Sequence, residues 1–249
     1  MKRALQTVAV TAALTIAATA PAEAVMSQRI SWKFNTVASP VTTVIDDSGK
    51  SHLGTVTASN GGQITTVAPG RDGAGQAVQF PALCTGTGCP KAMISTPDEA
   101  SLNPGALDFA YGAWVNVVPV ELTADHGSNL LQKGLYNTAQ WKLQLDKTSG
   151  TPSCVIREAG GADPKLVTSS VSISDGQWHK VTCQRIAGQF QILVDSIDRT
   201  AVPVTVAASY VVNPVGQPLT VGAKSIGTDN DQFHGRLDDV YFNVEKPVL

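Results

Sequence analysis

The sequence predicts an all-β fold, a sandwich of two antiparallel sheets. Three observations carry the prediction. Short runs of alternating apolar and polar residues recur along the chain, bounded by Gly, Pro, Asn or Asp, and a period of two marks a half-buried strand. Thr, Val, Ser, Gly and Pro are abundant while Glu is scarce, a composition suited to strands and turns. No heptad, long 3.6-residue period or internal repeat appears between Val25 and Leu249.

The first 24 residues stand apart. Lys2 and Arg3 precede an Ala-rich apolar run, and Ala22-Glu23-Ala24 forms a small-residue cleavage site. Residues 1–24 therefore read as a secretory signal peptide and residues 25–249 as the folded domain. No later stretch is long and apolar enough to span a bilayer, so the expected location is secreted and extracellular. Losing Lys2, Arg3 and Glu23 moves the formal net charge from −2 to −3. That balance leaves no basic footprint for nucleic acid.

The elements follow in order. Residues 30–34 alternate and form the first strand. Asn60-Gly61-Gly62 is a hairpin turn signal, since the tightest hairpin turns require positive φ. Residues 69–75 form a loop before a strand at 76–80. A short strand at 92–94 precedes a turn at 101–105. In the strand over 109–117, Phe109, Tyr111, Ala113, Val115 and Val117 share one face. Trp114 lies on the other, either beneath a loop or on the second face of the sheet. Residues 129–134 and 140–145 form a strand pair, and 157–164 a Gly-rich loop. Asp175-Gly176 opens the central hairpin, in which Val181 and Cys183, then Phe190, Ile192 and Val194, point inward across the break at Gly188. Residues 219–222 form a strand, 227–231 a polar solvated loop, and 233–242 the closing strand.

Four cysteines in an exported chain read as two disulfides, with three pairings possible. Cys84 and Cys89 enclose a short flexible loop, while Cys154 and Cys183 sit in strand-like runs able to face one another. The pairing 84–89 with 154–183 is favoured. A zinc site is the alternative, but paired C-x₂-C spacing is missing.

Asp175-Gly176-Gln177-Trp178-His179-Lys180-Val181, followed by Ile192-Leu193-Val194-Asp195, resembles the central hairpin of the laminin-G-like jelly rolls. These belong to the concanavalin A-like lectin/glucanase superfamily. Four further stretches resemble the family in the same order. They are the Asp46-Asp47-Ser48-Gly49 loop, Gly75-x-Ala77-x-x-Phe80, Phe109-x-x-x-Ala113-Trp114-Val115, and Phe233-x-Gly235-x-Leu237-Asp238-Asp239-Val240. The resemblance runs from Trp32 to Phe242 and implies a concanavalin A-like jelly roll.

Function is less legible. Glycosidases of this superfamily need two carboxylates across the scissile bond, and their Glu-x-Asp-x-x-Glu motif is absent from a chain whose five glutamates are Glu23, Glu99, Glu121, Glu158 and Glu245. There is no Gly-x-Ser-x-Gly elbow, and Asp125-His126-Gly127-Ser128 lacks that context. His179 shares parity with Val181 and Cys183 and is expected in or near the core with one hydrogen bond. Many jelly rolls of this superfamily bind one calcium ion where the N-terminal loop meets the C-terminal strand. By that resemblance Asn35, Asp47 and Asp238 are the expected ligands of a structural calcium. Asp238 shares parity with Val240 and Phe242, and buried beside them it would need a partner. A second, exposed site at Asp229-Asn230-Asp231 is disfavoured against a plain turn.

The expected function is a non-catalytic binding module for an extracellular glycan or glycoprotein. Tyr136, Asn137 and Trp141 are the ligand-binding candidates, with Tyr241 beside them, because an aromatic ring can stack on a sugar's apolar face. A protein–protein adhesion module and an atypical glycosidase or lyase of the same fold are the alternatives.

Overall fold

A computed structural model of the chain describes residues 25–124, 127–161 and 163–246. The expected signal peptide and the Asp125-His126 pair lie outside the described residues. The early strands are β1 (Met26–Trp32), β2 (Thr43–Val44), β3 (Gly54–Ser59), β4 (Thr65–Val67), β5 (Ala77–Gln79) and β6 (Lys91–Thr96). The middle of the chain supplies β7 (Phe109–Asn116), β8 (Ser128–Gly134), β9 (Gln140–Asp146), β10 (Thr151–Arg157) and β11 (Lys165–Thr168). Then come β12 (Trp178–Ile186), β13 (Gln189–Val194), β14 (Ile197–Asp198), β15 (Val204–Thr205), β16 (Leu219–Val221) and β17 (Arg236–Glu245).

They form two antiparallel sheets. The nine-stranded sheet runs β14-β13-β12-β7-β17-β5-β4, with β1 also on β17 and β15 on β13. The eight-stranded sheet runs β11-β10-β9-β8-β16-β6-β3-β2. The fold is the all-β jelly roll that the alternation and the resemblance indicated.

The core lies between the sheets. Phe109, Tyr111, Ala113, Val115 and Val117 are all buried, as are Val181, Cys183, Phe190, Ile192 and Val194 of the central hairpin. That hairpin turns at Ala187 and Gly188, both at positive φ, the geometry that matches strand twist in a two-residue turn. Trp141 of β9 stacks on Phe242 of β17 at 4.8 Å and packs against Tyr111 of β7, so one ring bridges both sheets.

Both favoured disulfides are present. Cys154–Cys183 joins β10 of one sheet to β12 of the other through the buried core, and Cys84–Cys89 closes an exposed loop. The Asn60-Gly61 turn departs from expectation. Both residues take positive φ, yet β3 lies in the eight-stranded sheet and β4 in the other. The tight turn ends one strand and sends the chain across the sandwich instead of closing a hairpin.

Candidate functional site

Polar and aromatic side chains gather on the outer face of the nine-stranded sheet. Strand pairing sets them in rows. Ser31, Tyr241, Gly112, Thr182 and Leu193 lie side by side across β1, β17, β7, β12 and β13. One pleat away, Gln28, Asn243, Ala110 and Gln184 form a second row. On the other side Trp114 stands beside Lys180. These rows, with Lys33 and with Arg71 from the loop between β4 and β5, bound a depression of about 540 Å³.

The small residues of β7 make its floor. Tyr241 runs across Gly112, where a Cβ would come within 2.9 Å of its hydroxyl. The Tyr241 and Thr182 hydroxyls are 2.5 Å apart. Burial pushes the Tyr241 phenol up to about 12, only partly offset by Thr182, so it stays neutral in any physiological medium. Each aromatic ring carries a cation: the Arg71 guanidinium lies 4.8 Å from the Trp114 centroid, and the Lys180 ammonium 5.6 Å from that of Tyr241. Arg71 is also tied by Nε to Asp239 Oδ2 at 2.5 Å.

Asp238 borders this face, which corrects its expected orientation. Leu237 pairs with the core residue Val115, and Asp238 with Trp114. A bulge between Asp238 and Tyr241, with Asp239 at φ 45, then inserts one extra residue. Leu237 and Val240 both face the core as a result, and Asp238 points the opposite way. It is buried nonetheless, because the loop folds over it. A Cβ on Gly70 would lie 3.0 Å from its Oδ2, and the Arg71 amide donates to that oxygen at 3.2 Å. Burial pushes the Asp238 carboxyl up to about 6, against the pull of the Arg71 amide.

Of the expected calcium ligands, Asn35 and Asp238 line one cavity of about 240 Å³, together with Lys33, Arg71, Asp72 and Asp239. Asp47 does not join them. It is exposed and lines a separate cavity with Val44 and Ile45. Its neighbour Asp46 is the buried member of the pair and is saturated by Ser31, Ser48 and His52 donors. Burial opposes ionisation of Asp46, but those donors outweigh it and hold its carboxyl below the ordinary range. Among the described residues no three acidic, His or Cys side chains converge at metal-binding range. Asp238 and Asn35 Oδ1 are nevertheless hard oxygen donors of the kind calcium takes, and a buried carboxylate whose only donors among the described residues are the Arg71 and Asp239 amides is one that a cation would stabilise.

The expected ligand-binding trio is not brought together. Trp141 is fully buried and donates its indole N–H to the Leu102 carbonyl at 3.3 Å, so it has no face to offer a sugar. Tyr136 and Asn137 sit exposed in the β8–β9 turn, in the other sheet, with Arg157 over the Tyr136 ring at 4.6 Å. His179 is also misread. It stands at the start of β12 and bonds two carboxylates, Asp195 at 2.8 Å and Asp175 at 3.1 Å. Burial works against its charge, but the two aspartates outweigh it and raise its pKa. Nor is the 229–231 loop a plain solvated turn: Asp231 pairs with Lys142 and Lys224 at 3.2 and 3.3 Å, and Asn230 is buried.

Sequence reasoning missed Lys33, Arg71 and Lys180 as site residues. The available signal was Trp114, a large aromatic on the polar parity of an otherwise apolar strand.

Residues 87–243 match the family described as the concanavalin A-like lectin/glucanases superfamily. No curated protein matches the chain in sequence. Among solved structures, the chain is similar to domain 4 of AbnA, an extracellular arabinanase from Geobacillus stearothermophilus, solved with arabinotriose. The TM-score is 0.64 at 15% identity, covering 90% of this chain and 94% of that one. It is similar as well to the binding domain of Paraclostridial Mosquitocidal Protein 1, with TM-score 0.61, 18% identity, and 90% and 50% coverage. A third similar structure is the binding domain of Botulinum neurotoxin DC in complex with SialylT, with TM-score 0.60, 13% identity, and 89% and 49% coverage. The chain thus spans about half the length of the two toxin domains. With the fold, the central hairpin and the closing strand in agreement with that match, the chain belongs to the concanavalin A-like lectin/glucanase superfamily.

Proposed function

We propose that this chain is an extracellular, non-catalytic module that binds a glycan in the groove on the outer face of the nine-stranded sheet. The observation that carries the reading is the make-up of that groove. Gln28, Ser31, Gln184 and Asn243 supply hydrogen-bonding groups beside Trp114 and Tyr241, the pairing of polar and flat apolar surface that a sugar needs. Similarity to domains solved with arabinotriose and with SialylT supports the ligand class by analogy.

A non-catalytic role is supported by where the glutamates go. Glu121, Glu158 and Glu245 accept from the backbone amides of Val118, Val211 and Asp108. The groove's own carboxylate, Asp239, is paired with Arg71, so no free pair of acids faces a ligand there among the described residues. Two disulfides support an oxidising, extracellular setting, and no helix of the described residues is long and apolar enough to cross a membrane.

The test is a panel of soluble polysaccharides titrated against the wild type and Trp114→Ala. Binding should weaken about 10- to 100-fold in the variant, as for a central aromatic contact, with the far-UV spectrum unchanged. Failure of every glycan to bind the wild type would sink this reading and move the search to protein partners.

The proposal includes a structural calcium, which Asp238 and Asn35 Oδ1 would hold. Calcium should raise the unfolding temperature of the wild type over EDTA and leave Asp238→Asn unmoved. In EDTA the pH dependence has a definite sign. The folded-state pKa of Asp238, about 6, exceeds its ordinary 3.8, so the folded chain keeps a proton that the unfolded chain releases between those values. Stability from this group is complete below about pH 4, falls as pH rises through about 6, and stays lower above it. Asp238→Asn should flatten that segment, removing a cost of about 3 kcal/mol at neutral pH. Equal calcium shifts in both proteins would place the ion elsewhere.

A further inference from the structure

We propose that the groove selects acidic glycans, recognising a carboxylate or sulfate ester on the sugar through Lys33 and Lys180. The inference rests on the glycan-binding reading above and names the class of sugar.

Charge is the first observation. The chain as a whole carries a formal net charge of −2, yet Lys33, Arg71 and Lys180 all line this one depression, against Asp239. Arg71 and Asp239 pair with each other. Neither Lys33 nor Lys180 forms an ion pair with any carboxylate of the described residues. Two further acids lie nearby: Asp238 is buried under the loop and turned to the Arg71 amide, and Asp72, which shares the adjoining cavity with Lys33, accepts from the Ala74 amide. The groove therefore presents two cations that are in no ion pair, on a protein that is otherwise acidic.

The second observation concerns the rings. Here the Trp114 ring carries the Arg71 guanidinium and the Tyr241 ring the Lys180 ammonium. Tyr241 is itself held across Gly112 by its contact with Thr182. Each ring thus also helps to hold a cation in place, and side chains ordered before binding lose less freedom on contact with an anion. Around them Gln28, Ser31, Gln184 and Asn243 offer partners for hydroxyls. A ligand matching both features is polyhydroxylated and anionic. A densely charged polyanion such as a nucleic acid fits less well, because two unpaired cations on an acidic chain do not make the extended basic stripe it requires.

The test uses polysaccharides in pairs that differ only in the acid group: uronate polymers with their carboxyl-reduced forms, and sulfated polymers with their desulfated forms. The wild type should bind the acidic member of a pair about tenfold more tightly, the scale expected of two partly exposed ion pairs. That preference should shrink as sodium chloride is raised. In the double variant Lys33→Gln with Lys180→Gln the acidic member should lose its advantage, whereas Trp114→Ala should weaken both members. A preference confined to the carboxylate pairs, or to the sulfate pairs, identifies the acid group. Equal binding of both members, or a preference that survives the double lysine variant, overturns the acidic assignment while leaving glycan binding intact. Absence of binding to every member overturns the glycan reading and this inference with it.

Discussion

Replacing Trp141 by alanine should cost the folded protein about 3–5 kcal/mol, the range for removing a large buried aromatic. The ring is fully buried, stacked on Phe242 and packed on Tyr111, and its N–H is bonded to the Leu102 carbonyl. The change opens a cavity between the two sheets and strands a buried acceptor, and both effects destabilise. For a chain of this size the melting temperature should fall by roughly 10 °C. Glycan affinity of the protein that remains folded should be unchanged, since Trp141 faces away from the groove. Denaturant midpoints and binding isotherms on one preparation separate the two readouts. A small loss of stability with a large loss of binding would return Trp141 to the site.

Removing Cys154 and Cys183 together, both as alanine, should cost about 3.5 kcal/mol. That figure follows from the chain entropy of the loop they close, with a sequence separation of 29. Cys84–Cys89 closes a separation of only 5, for which the same relation gives about 2 kcal/mol. The first pair also fills core between the sheets while the second lies in an exposed loop, which widens the difference. Equilibrium unfolding of the two double variants, each in oxidising buffer, measures the contrast. Equal losses, or a larger loss for Cys84 and Cys89, would mean that the inter-sheet bridge adds little to the packing around it.

Much of the fold was legible because strands declare themselves locally. The alternation in residues 109–117 and in the central hairpin places the apolar side chains of the core on their observed face. The same alternation already set Trp141 in line with Leu143 and Leu145, all three buried, so its candidacy as a sugar platform ran against its own strand. The cysteine partners were legible too, one pair from a short loop and the other from two strand-like runs.

Asp238 marks where local reading ends. Its parity with Val240 and Phe242 pointed it into the core, and one extra residue at Asp239 reversed that. An Asp-Asp pair carries no signature that separates a bulge from a regular strand, so the count of residues between partners has to come from the pairing itself. The Asp46-Asp47 pair gave a similar ambiguity, resolved by the Ser31, Ser48 and His52 donors that surround Asp46.

The sequence by itself determined the all-β class, the inward face of most strands, the disulfide partners and the family, because each depends on residues near one another or on motifs in fixed order. Only the tertiary structure decided the site. Gln28, Trp114, Lys180 and Tyr241 come from four strands that lie far apart along the chain, and they share a groove because β1, β17, β7 and β12 stand side by side in the sheet. The strand order of a jelly roll is set by packing between distant segments, and no local periodicity encodes it.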